Sequence, residues 1–311
     1  MSEDPHTMAS PSLALQRDAA ALRDKVAVIT GAASGIGLAL AHRAAALGMA
    51  VVMADIDPDQ LSAARRALSD QGAKAVDVVT DVSSAASVDE LARTAERSLG
   101  APWLLVNNAG VAIWKRTWDL THEDWSWVLG VNLFGVAHGI QAFLPGMLER
   151  DEGHIVNTAS ASGLLVSAGA SSPYAASKHA VVGLSEVLFR ELQALGSRVS
   201  VSVLCPGPVA TNIVLAGEHR PARFGGATPG PTVARDRYGA ESLEPAEVAQ
   251  HAFDDVMRGR FWILTHPEHF GPSIVRRMEG AVGGQNPDAS TADPFHARQP
   301  WDAGSRRGPG G

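Results

Sequence analysis

The sequence predicts an α/β fold built on a single doubly wound parallel sheet, with helices on both faces. Three observations carry this. From Lys25 onward, short apolar runs of strand length alternate with longer amphipathic stretches. Several runs are unbroken rather than alternating, as strands covered on both faces must be. The 311-residue chain is 45% hydrophobic, enough for one large core. Repeated strand–helix–strand alternation selects parallel pairing, and right-handed crossovers leave few topologies.

The first strand is expected at 26–29, followed by a glycine-rich turn and a helix. The second starts at Ala50 and ends on Asp55. Asp57-Pro58-Asp59 then opens a helix with a capping Asp and an early Pro, and Gly72 closes it. The third strand is 75–79. Residues 84–99 carry helical spacing at Val88, Leu91 and Ala95 and stop at Gly100. The fourth strand is 103–106 and the fifth 154–157. Long helices are expected at about 123–150 and 173–195. Strands at 199–204 and 261–264 complete the sheet.

One domain over residues 25–270 is expected, with a Gly- and Pro-rich lid at about 212–242. Residues 1–24 read as a mobile N-terminal extension. Residues 271–311 read as a largely disordered C-terminal extension with Phe295 and Trp301 as docking points.

Composition narrows the function. The formal net charge is −7 and no basic run stands out, which argues against nucleic acid as a partner. The single cysteine, Cys205, permits no intrachain disulfide and points to a cytoplasmic protein. It reads as a small core residue at a strand end. The N-terminal region has no apolar run fit for a signal peptide or a membrane span, so no membrane role is expected.

The first strand runs into Thr30-Gly31-Ala32-Ala33-Ser34-Gly35-Ile36-Gly37. Glycines there let the chain turn sharply and let its backbone approach a pyrophosphate. The following helix offers unpaired N–H groups and a partial positive charge. Asp55 lies eighteen residues after Gly37. A carboxylate at that strand end accepts hydrogen bonds from the ribose hydroxyls of NAD and repels a 2′-phosphate. The competing reading is that Asp55 caps the following turn.

Tyr174-Ala175-Ala176-Ser177-Lys178 puts Tyr and Lys on one face of a helix, with Pro173 suited to its start. A free tyrosine has a pKa of about 10. A neighbouring ammonium and a cationic nicotinamide ring favour the phenolate. Lowering that pKa by about three units takes ~4 kcal/mol.

The spacing Thr-Gly-x-x-x-Gly-x-Gly, followed in order by Tyr-x-x-x-Lys, resembles the short-chain dehydrogenase/reductase family over roughly 25–264. The resemblance implies a Rossmann-type domain in which Gly31, Ser34, Gly35, Ile36 and Gly37 cradle the cofactor. It places Asp81 and Val82 beside the adenine. Asn108, Ala109 and Gly110 would line the nicotinamide side, and Pro206, Gly207, Val209 and Thr211 would hold the carboxamide. Members that use NADP tend to carry a basic residue at the position of Ser34 or Ile56. Neither is basic here, so NAD is the implied cofactor.

The same resemblance makes Tyr174 the general acid/base and Lys178 its partner, holding the nicotinamide ribose. Ser160, three residues before Gly163, would polarise the substrate oxygen. Its distance from Tyr174 is one residue longer than the family's commonest, so Ser162 stays open. Asn132 would kink its helix and hold a water that links Lys178 to solvent, or serve only as a structural kink. Homodimers or homotetramers through the two long helices are implied.

The implied reaction moves a hydride between NAD(H) and a secondary alcohol or ketone. An NADPH-dependent 3-oxoacyl thioester reductase is the alternative within enzymes. A non-catalytic NAD-binding regulator is the alternative from another class; the set Asn132, Ser160, Tyr174 and Lys178 argues against it. Trp114, Trp118, Trp125 and Trp127 read either as the floor of an apolar pocket or as packing. Lid residues Arg220, Arg223, Arg235 and Arg237 read as a solvated surface, or one of them as a carboxylate binder. His266-Pro267-Glu268-His269 reads as a turn after the last strand, and no metal is expected.

Overall fold

Seven strands, β1 (Val26–Thr30), β2 (Ala50–Asp55), β3 (Ala75–Val79), β4 (Pro102–Asn107), β5 (His154–Thr158), β6 (Ser200–Cys205) and β7 (Trp262–Leu264), make one sheet in the computed structural model. The structure describes residues 19–166, 171–228 and 242–288. The sheet order is β3-β2-β1-β4-β5-β6-β7, and every pairing is parallel. The doubly wound Rossmann-type fold is therefore present. The helices are α1 (Gly35–Ala46), α2 (Pro58–Asp70), α3 (Ala85–Leu99), α4 (His122–Leu129), α5 (Gly135–Arg150), α6 (Ser172–Ala194), α7 (Pro245–Met257) and α8 (Pro267–Val282).

The period of two along a strand sorts the core into two layers. Ala27, Ile29, Val51 and Met53 pack with Leu40 of α1, Leu61 of α2 and Phe253 of α7. Val26, Val28, Ala50 and Val52 pack on the other side with Leu91 of α3, Phe143 of α5 and Leu188 of α6. Both faces of the central strands are covered, which is why their sequences are apolar throughout. The caps follow the local chemistry. Asp57 accepts from Asp59 N and Gln60 N to start α2, and Ser84 accepts from Ser87 N to start α3.

Strand order reverses between β1 and β4, so the helices that follow those strands cover opposite faces of the sheet and leave a crevice at its carboxyl edge. A buried polar ladder fixes α6 against that edge. Asn107 Nδ2 donates to Asn157 Oδ1 (2.9 Å), Asn157 Nδ2 to Ser185 Oγ (3.0 Å), and Ser185 Oγ to the Val181 carbonyl (2.7 Å). It joins β4, β5 and α6, and α6 carries Tyr174.

Between α4 and α5 the chain makes a π-turn, Gly130–Phe134, so residues 122–150 form one interrupted helix. That helix is apolar and long enough to cross a membrane by composition alone. Its apolar residues instead include Val136, Phe143 and Met147, buried in the core.

Two boundaries move. Residues 271–282 are not an irregular extension but most of α8. Phe270 and Ile274 pack it on Ala161 and Leu165. At the other end Leu22, in a 3-10 turn at Ala19–Leu22, is fully buried. Within the expected lid, Ile213–His219 and Ala222–Phe224 are 3-10 turns. Residues 1–18, 229–241 with Arg235 and Arg237, and 289–311 with Phe295 and Trp301 lie outside the described residues.

Candidate active site

The turn after β1 lies backbone against backbone. Gly31 has φ +66°, and a Cβ on it would sit 2.9 Å from Ala109 Cα. A Cβ on Gly37 would sit 2.0 Å from the Gly31 carbonyl oxygen. No other residue fits at either place without moving the chain. Thr30 Oγ1 accepts from Asn108 N (2.9 Å) and Ala109 N (3.0 Å), and Asn108 Nδ2 donates to the Thr30 carbonyl (3.0 Å). These bonds lock the turn after β4 onto the turn after β1. The N-terminus of α1 then faces a cleft of ~440 Å³.

Of the nineteen sequence-predicted site residues, all but Gly37 and Asn132 line this cleft. Gly37 is packed behind the glycine turn. Asn132, fully buried in the π-turn, acts as a clamp. Its Oδ1 accepts from Val111 N (2.8 Å), and its Nδ2 donates to the Val111 carbonyl and Ser177 Oγ (3.0 Å each). It thereby ties the turn after β4 to α6.

Asp55 caps the turn that follows it and also braces the glycine turn. One carboxylate oxygen accepts from Ala33 N in the glycine turn (3.0 Å), the other from Asp57 N (3.2 Å). It makes no ion pair among the described residues. Asp81 accepts from Ser83 N (3.0 Å) and Ser83 Oγ (2.6 Å) and pairs with Arg223. Half-burial opposes ionisation of Asp81, but the Ser83 and Arg223 hydrogen bonds outweigh it and hold the carboxyl below its usual range.

Lys178 is 3% exposed. Its Nζ donates to the Thr158 carbonyl (2.7 Å) and lies 5.6 Å from the centre of the Tyr174 ring. Burial pulls its pKa down from 10.5 to about 8. Cys205 ends β6, and burial pushes its thiol up to about 12, so it is inert core. Ser160 and Ser162 both line the cleft. Ser160 Oγ accepts from Ser162 N (3.1 Å), which leaves its hydroxyl hydrogen to be donated elsewhere.

The remaining walls are largely apolar: Val111, Ala112, Trp114 and Trp127 on one side, Ile213 to Ala216 and Phe270 on others. Of the four tryptophans only Trp114 and Trp127 line the cleft; Trp118 is 77% exposed. The solvated-surface reading holds for Arg223, which is exposed and pairs with Asp81, but not for Arg220, which is buried and pairs with Asp124 (2.7 Å); neither lines the cleft. His266 does not form a turn; it is the buried residue that precedes α8. Its Nδ1 meets Thr265 Oγ1 at 2.7 Å, and that oxygen accepts from Gly207 N (3.0 Å). No metal-binding group of side chains occurs among the described residues.

Sequence reasoning assigned no role to Asp124, Lys115, His219 or Phe270. His219 and Phe270 matter through partners distant in sequence, as does the Asp124–Arg220 pair, so no local spacing betrays them; the Thr121/Asp124 capping box and the Lys115–Asp124 pair are nearer in sequence.

The family described as short chain dehydrogenase matches residues 25–220. A "CLA biosynthesis dehydrogenase/reductase" from Lactiplantibacillus plantarum is 35% identical over 283 residues, 87% of this chain and 98% of that protein. The crystal structure of a short chain dehydrogenase/reductase from Burkholderia phymatum in complex with NAD is 42% identical, with TM-score 0.80, covering 86% of this chain and 97% of that one. An alcohol dehydrogenase from the archaeon Thermococcus sibiricus, complexed with 5-hydroxy-NADP, is 29% identical, with TM-score 0.62, covering 77% and 95%.

Proposed function

The chain belongs to the short-chain dehydrogenase family of oxidoreductases, and within it we propose that this protein moves a hydride between NAD(H) and an apolar secondary alcohol or ketone. The observation that carries the reading is the convergence of Ser160, Tyr174 and Lys178 on one cleft with the backbone-packed glycine turn. A bound nicotinamide supplies or accepts the hydride. Tyr174 donates its phenolic proton to the carbonyl oxygen in reduction and takes it back in oxidation. The Lys178 ammonium, beside that ring, favours the phenolate. Ser160 donates a hydrogen bond to the substrate oxygen as charge develops on it. The apolar walls suit an uncharged, mainly hydrocarbon substrate.

The NAD assignment rests on Asp55. It bears no paired cation among the described residues, and Ile56 and Asp57 beside it in the cleft add none. A 2′-phosphate about 5 Å from that carboxylate meets a repulsion of about 3 kcal/mol at an effective dielectric of ~20. That corresponds to about a hundredfold in affinity. Fluorescence titration is expected to show NADH binding about a hundredfold tighter than NADPH. Equal affinities would remove the Asp55 argument, and tighter NADPH would favour the thioester reductase. Exposed Leu148 on α5 and Val187 on α6, with Leu195 just past the end of α6, support self-association through these helices as a homodimer or homotetramer.

A further inference from the structure

We infer that Arg220 is a positioning residue for this reaction: through Asp124 it holds the strap after β6 as the substrate-facing wall. The inference rests on the hydride-transfer reading above. The strap contributes Ile213, Val214, Leu215 and Ala216 to the cleft. Ala216 and Tyr174 both pack against the cluster of Ile113, Trp127 and Val128. The wall and the catalytic ring therefore share one support.

Among the described residues three side-chain pairs fasten the strap to the body, and they are not equal. Arg223–Asp81 has side chains 51% and 21% exposed, and His219–Asp57 has 46% and 19%. Pairs this exposed contribute little and are screened by salt. Arg220–Asp124 has 4% and 1%, with Nη1 to Oδ1 at 2.7 Å, and the guanidinium lies over the Trp127 ring at 5.1 Å. Asp124 gathers more. Its Oδ2 accepts from Lys115 Nζ (2.7 Å) and from Thr121 N (3.0 Å), the capping bond that opens α4. One buried carboxylate thus joins the loop after β4, the start of α4 and the strap, and Trp127 lines the cleft directly.

Arg220 itself does not line the cleft, so it acts through these neighbours rather than on the substrate. Its loss also leaves Asp124 paired with Lys115, so the buried carboxylate is not stranded and the fold is expected to survive. What is lost is the anchor of the wall, and with it apolar contact to the substrate.

The test compares Arg220→Gln and Arg220→Lys with the parent, reading NADH affinity by fluorescence and ketone KM and kcat by NADH consumption. Both variants are expected to bind NADH within about twofold of the parent. Arg220→Gln is expected to raise ketone KM at least tenfold with kcat changed less than threefold. Arg220→Lys, which keeps the ion pair, is expected to bring KM back to within about threefold. A KM in Arg220→Gln within threefold of the parent overturns the assignment. So does joint loss of folding or NADH binding, which marks a merely structural residue, and so does failure of the lysine to restore KM. A parent inactive with every ketone overturns the reaction itself, and the assignment with it; an active parent with an unaffected variant overturns the assignment alone.

Discussion

Tyr174→Phe is expected to lower kcat by about 10²–10⁴-fold, the usual contribution of a positioned general acid/base. NADH affinity should stay within about twofold, because the substitution removes one oxygen and leaves the ring in its packing against Ile113, Trp127 and Val128. Such a split, with binding kept and turnover lost, marks an interaction made in the transition state. The readout is steady-state NADH consumption with a ketone, beside a fluorescence titration of the cofactor. Turnover within tenfold of the parent would remove Tyr174 from the chemistry.

The second large effect concerns Lys178 and runs in opposite directions for activity and stability. Lys178→Met is expected to lower turnover at least about a hundredfold, because the charge that favours the phenolate is gone. The same change should stabilise the cofactor-free protein near pH 7. The unfolded chain holds the Lys178 proton up to about pH 10.5, the folded one only up to about 8. Between those values the unfolded state binds more protons, so the parent's stability rises with pH. Below about pH 8 the parent carries the full cost of a buried cation, about 3 kcal/mol for this shift. Losing the bond to the Thr158 carbonyl offsets ~1 kcal/mol of the gain. Urea unfolding should therefore show the variant more stable by about 1–3 kcal/mol at pH 7. The advantage should shrink steadily from pH 8 towards 10. A pH-independent difference would contradict the burial argument.

The legible parts of this protein are those whose physics is local. The parallel strands announce themselves because burial on both faces leaves no polar alternation in runs such as Val26 to Ile29. Asp57 and Ser84 cap the helices they precede, as their side chains dictate. Tyr174 and Lys178 sit one turn apart on α6, so their pairing is written in four residues. Helix α8 was hidden. Its packing residues Phe270 and Ile274 are interrupted by Gly271 and Pro272, and Val275, Met278 and Val282 add an exposed apolar face that blurs the helical period. Arg220 was hidden for another reason. Its partner Asp124 is 96 residues away, and in sequence a buried ion-pairing arginine looks the same as a solvated one. Asn132 was identified by position, but its engagement with Val111 and Ser177 depends on the π-turn, which no residue spacing specifies.

The central claim is that this cleft carries out hydride transfer from a nicotinamide to a carbonyl carbon. The most direct test uses NADH carrying deuterium at both C4 positions with a panel of apolar ketones, and mass spectrometry of the alcohol formed. The account predicts one deuterium per turnover, delivered to the carbinol carbon and dependent on Tyr174. Alcohol formed without the label, or no alcohol from any ketone with either NADH or NADPH, would contradict it.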